Sequence, residues 1–94
     1  MVQSRESAET LGLRALGWLA GNDELLETFM GASGVSEADV RAGAGDPAFL
    51  GAVLDFLLMN DAWVIECCAA LDLPGAALGE ARAALPGGEQ VHWT

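Results

Sequence analysis

The side chains able to do chemistry in this 94-residue chain are few: two cysteines, one histidine, and fourteen carboxylates against four arginines. The cysteines, Cys67 and Cys68, are neighbours. On a helix, adjacent side chains point about 100° apart, so the two can neither be bridged nor both face one metal ion. They are expected to be reduced thiols in a reducing compartment. His92 stands beside Trp93, far along the chain from both cysteines, and zinc takes about four ligands. No metal and no cofactor is expected. Nucleophilic catalysis is also short of parts: Lys and Tyr are absent, and no Ser or Cys sits beside a base in a recognisable motif. The glycines never fall into a phosphate-binding pattern. Asp23 and Glu27, four apart on one helix, could share acid–base work. Asp23, however, lies where a helix start favours negative charge, and Glu27 lies on a solvated face. A carboxylate-based enzyme is therefore the weakest reading, and the chain is read as non-catalytic.

Two further features depend on where the chain places them. Asp55 interrupts a helix that is otherwise apolar nearly all round. Either it and Gly51 mark a thin exposed stripe, or it is a buried carboxylate paired with Arg14 or Arg82, since a buried charge must be matched. Trp93, in a polar tail with no obvious core to enter, folds back, lies disordered or anchors another protein, and His92 and Trp93 are the candidate interaction residues. Trp18 and Trp63 have core spacing.

The elements that position these residues are helices. Strand alternation and hairpin turns are absent, whereas caps are dense. Ser4 or Ser7 caps a first helix running to about Ala20, with Leu11, Leu13, Ala15, Leu16, Trp18, Leu19 and Ala20 on a wide apolar face. Asn22 caps a second, Gly34 stops it in a left-handed turn, and Ser36 caps a short third with Asp39 at the third helical position. Asp46-Pro47 heads the helix to Met59, expected to be central and most buried. Asn60 caps a fifth, whose apolar side is Trp63, Val64, Cys67, Cys68 and Leu71. Leu73-Pro74 opens a sixth, through Leu78, Ala81 and Leu85, and Pro86-Gly87-Gly88 ends it. The predicted fold is thus all-α: one domain over 1–94, a bundle of five to six short helices ordered over about 4–86, with a flexible tail at 87–94.

The two halves echo one another at an offset of 38, Asn22-Asp23 on Asn60-Asp61 and Leu16, Leu19, Leu26 on Leu54, Leu57, Val64. Two origins fit: a pair of pseudo-repeated helical units, or self-similarity of an Ala- and Leu-rich chain.

The strings Leu16-Gly17-Trp18-Leu19-Ala20, Asp46-Pro47-Ala48-Phe49-Leu50 and Val53-Leu54-Asp55-Phe56-Leu57-Leu58 carry a resemblance. Over Ala8 to Leu85 the chain resembles a family of short helical bacterial proteins catalogued as a domain of unknown function. The resemblance implies a compact helical protein and brings no activity, cofactor or catalytic residue.

Composition bounds partners. A formal charge of −10 disfavours nucleic acid, whose phosphates need a basic patch, and disfavours anionic membranes. Hydrophobic residues at 52% exclude a disordered acidic tail. No apolar leader precedes the first helix, and no run reaches the roughly 18 residues of a membrane span, so a cytoplasmic location is expected. Many acidic residues already have a structural explanation at helix starts. What remains is a small interaction or regulatory module that binds a protein partner or associates with itself as a homodimer. The alternative is a module holding an apolar small molecule between helices.

Overall fold

The computed structural model describes residues 4–85. Among them it contains six α-helices and no strand: α1 (Arg5–Ala20), α2 (Asp23–Ser33), α3 (Glu37–Gly43), α4 (Pro47–Leu58), α5 (Asp61–Leu71) and α6 (Ala77–Ala84). The first five begin on a side chain that accepts a hydrogen bond from a first-turn N–H, supplied in turn by Ser4, Asn22, Ser36, Asp46 and Asn60. At α3 the box is reciprocal: the Ser36 N–H donates to Asp39 Oδ2 at 2.9 Å and the Asp39 N–H donates to Ser36 Oγ at 3.1 Å. Those bonds hold the Asp39 carboxyl below its ordinary pKa.

Helix ends follow backbone chemistry. Gly34, at φ 77°, ends α2 in the left-handed region, its N–H bonding the Met30 carbonyl. The chain stops α5 the same way without a glycine. Asp72, at φ 58°, donates to Ala69, and Leu73 donates to Cys68, the paired bonds of a Schellman turn. This turn corrects the expected start of the sixth helix. Residues 73–76 are spent leaving α5, and α6 begins at Ala77 with no side-chain cap, three residues beyond Pro74.

At the centre α1 lies against α4 and α6, which also touch each other; α2 joins α1, α5 joins α1 and α4, and α3 rests on α4. Leu19, Val53, Leu54, Leu57, Leu78 and Leu85 fill the interior with Phe29, and among the described residues no polar or charged residue is buried with them. α4 is the most buried helix, as its composition predicts. Its exposed stripe is Ala48, Ala52, Asp55 and Met59, while Gly51 is buried, so Asp55 and Gly51 do not share a face. On α1, Leu13 and Ala20 turn outward, leaving a narrower apolar face than expected.

The echo between the halves extends to the elements. α2 and α5 are each 11 residues long, and their first residues, Asp23 and Asp61, stand at the 38-residue offset; so do the left-handed stops Gly34 and Asp72. Packing breaks the symmetry, because α6 sits between α1 and α4 whereas its counterpart α3 rests on the outside of α4.

Candidate functional site

Four aromatic rings form a row through the interior. Phe29 meets Phe49 edge-on at 6.0 Å and Phe56 at 5.1 Å, and Phe56 stacks on Trp63 at 4.7 Å with 27° between the planes. Such pairs add to the burial they already represent. Trp63, like Phe49 at the other end, is half-buried. It is a packing residue, as its spacing implies, but it also lines an open cleft of about 410 Å³ between α2 and α5. Leu25 and Ala62 line the same cleft, with Glu24, Thr28 and Glu66 supplying polar groups.

α5 explains why this face is unusual. The helix is apolar nearly all round, yet only Cys67 and Cys68 are fully buried. Trp63, Val64 and Leu71 are half-buried, and Ala62, Ile65, Glu66 and Ala69 form an exposed stripe at successive turns. Ile65 is 68% exposed, and Met59, one residue before the cap of this helix, is 75% exposed. A second cleft, of about 270 Å³, lies between α2 and α4 against Phe29, Ala32, Ala52, Phe56 and Met59.

Asp55 pairs with Arg82 across α4 and α6. The guanidinium donates twice, Nε to Oδ1 at 2.6 Å and Nη2 to Oδ2 at 2.9 Å. The expectation of a buried carboxylate is corrected: the Asp55 side chain is 57% exposed, and it is the arginine, at 17%, that is covered. Arg14 is not its partner. Arg14 Nη2 instead donates to the Leu71 carbonyl at 2.8 Å, capping the end of α5 where a cation opposes the helix dipole. Asp55→Ala removes both of these bonds from the covered guanidinium, while solvent screening limits what the pair is worth. We expect a loss of about 1 kcal/mol, above the roughly 0.5 kcal/mol of ordinary surface changes, read from urea midpoints. A loss equal to that of Glu27→Ala would mean the pair contributes nothing.

The thiols are free and buried. Burial, assisted by the neighbouring Cys68, raises the Cys67 pKa from 9.0 to about 11; Arg14 pulls weakly the other way. Burial also raises Cys68. A raised pKa favours the protonated native state, so this contribution is fully present below about pH 9 and is lost as pH climbs towards about 11. With no Lys and no Tyr in the chain, the cysteines are the side chains that titrate in that window. Stability should therefore fall between those limits, and Cys67→Ala should flatten the profile. An equal alkaline loss in the variant would assign it elsewhere.

The other sequence candidates do not converge. Asp23 and Glu27 are exposed on α2, and among the described residues no three metal-ligating side chains come together. No single described helix is long and apolar enough to cross a membrane. His92 and Trp93, with the tail at 87–94, lie outside the described residues. The exposed face of α5 was missed in the sequence; its signal was Ile65 and Ala69 continuing the apolar character beyond the side already assigned to the core.

The fold defines the class: an all-α protein whose described residues form six helices around an apolar core. Residues 5–88 match the family described as "Protein of unknown function (DUF3572)", and the chain belongs to that family. No curated protein and no solved structure matches the chain.

Proposed function

We propose that this chain is a non-catalytic protein-interaction module of the cytoplasm, engaging its partner through the outer face of α5. The observation that carries the reading is Ile65. Single exposed apolar residues are ordinary on a protein surface. Here Ile65, 68% exposed, sits between Ala62 and Ala69 on a helix whose other sides are also apolar, with Met59 just before it. Exposed apolar side chains grouped along one helix are what protein interfaces use. The formal charge of −10 argues against nucleic acid and anionic lipid as the partner.

A photo-crosslinking amino acid placed at residue 65, in the native cell, tests the reading against the same group at the exposed Arg41. Crosslinks to a defined protein, or to a second copy, from position 65 but not 41 support it. Equal crosslinking from both positions removes it.

The α2–α4 cleft favours a second reading, an apolar small ligand, because it is lined almost wholly by carbon. Titration with an environment-sensitive apolar dye separates the two. Saturable binding that Ala52→Phe abolishes and Ile65→Glu leaves intact supports the ligand.

A further inference from the structure

We propose that the α2–α5 cleft and the adjoining stripe of α5 receive a basic amphipathic helix from a partner protein, an inference that rests on the interaction-module reading. Three observations fix the partner's chemistry. First, the cleft is lined by Leu25, Ala62 and the half-buried Trp63 together with the exposed acidic residues Glu24 and Glu66. An indole and two carboxylates in one cleft suit an arginine or lysine. Second, the helix dipole accounts for Glu24, in the first turn of α2, but not for Glu66, in the middle of α5. Among the described residues no arginine lies within ion-pair distance of either. Third, the cleft is continuous with Ala62, Ile65 and Ala69, which extend about 10 Å along α5 at 1.5 Å per residue. Two turns of a facing helix match that length, with apolar side chains against Ile65 and cations against Glu24 and Glu66. A second copy of this chain is a poor occupant. It has no lysine, and its four arginines are all engaged: Arg5 with Glu9, Arg41 with Glu37, Arg14 with Leu71 and Arg82 with Asp55.

The probe is a synthetic peptide of about eighteen residues, with Leu at i, i+3, i+4 and i+7 and Lys or Arg elsewhere, titrated into the ¹⁵N-labelled full chain. Amide shifts confined to residues 23–28 and 61–69, together with the Trp63 Nε1–H, are expected. Added salt should weaken them. Glu24→Gln/Glu66→Gln, at exposed positions that leave the fold intact, should weaken binding about tenfold, whereas Glu37→Gln/Glu80→Gln, an equal charge change on α3 and α6, should not. Equal weakening by both pairs, shifts elsewhere, or no shift at millimolar peptide overturns the proposal. Adsorption to neutral phosphatidylcholine vesicles through the same residues, without peptide binding, overturns it in favour of lipid. If position 65 crosslinks to a partner whose contacting segment is acidic or uncharged, this inference fails while the interaction module stands.

Discussion

Phe29→Ala is expected to cost about 3–5 kcal/mol, the usual range for emptying a buried aromatic site. Phe29 is 2% exposed and touches two other rings of the row, Phe49 on one side and Phe56 on the other. Its loss leaves a void between α2 and α4 and removes two edge contacts together. Whole domains are stable by only about 5–15 kcal/mol, so the variant should lose much of its helical signal at ordinary temperature. Phe29→Leu retains most of the volume and should cost less than half as much. Urea denaturation followed by far-ultraviolet circular dichroism measures both. A loss below about 1 kcal/mol in Phe29→Ala would mean that α2 is held by its caps and by α1, not by the aromatic row.

Gly43→Ala is expected to cost about 1–3 kcal/mol by overpacking. Gly43 is buried at the end of α3, and a Cβ there would overlap the ring of Phe49 at Cδ2 and Cγ. Cγ lies near the base of the side chain, so the ring cannot simply swing its tip away. It must change rotamer and give up its contact with Phe29, which outweighs the few tenths of a kcal/mol that alanine gains at a helix end. The check is a double variant: Phe49→Leu in the Gly43→Ala background should recover part of the loss, because residues in contact are not additive. If the two losses simply add, the clash is relieved by backbone movement of α3.

What the sequence made legible was local. Ser4, Asn22, Ser36, Asp46-Pro47 and Asn60 each carry a side-chain oxygen or a preset φ that begins a helix wherever the chain goes afterwards. Asp72 was not legible as a stop, because aspartate adopts the left-handed region only where the surrounding turn compels it; missing it displaced the start of α6. Asp55 was singled out for the right reason, an acid on an apolar helix, but its exposure depends on how α6 crosses α4, a tertiary fact. The α5 face was hidden for a related reason. An apolar helix reads as buried, and periodicity alone does not reveal how many of its sides find a neighbour.

The central position of α6 has a consequence for how the protein comes into being. α1 and α4 leave the ribosome first, but the slot between them is filled by Ala77, Leu78, Ala81 and Leu85, the last of the described residues to be synthesised. A nascent chain bearing only α1 to α5 has its caps and short helices, yet exposes the apolar faces of two long ones. Apolar surface exposed during that interval favours chaperone binding and aggregation. Native structure should appear abruptly when α6 emerges rather than growing helix by helix.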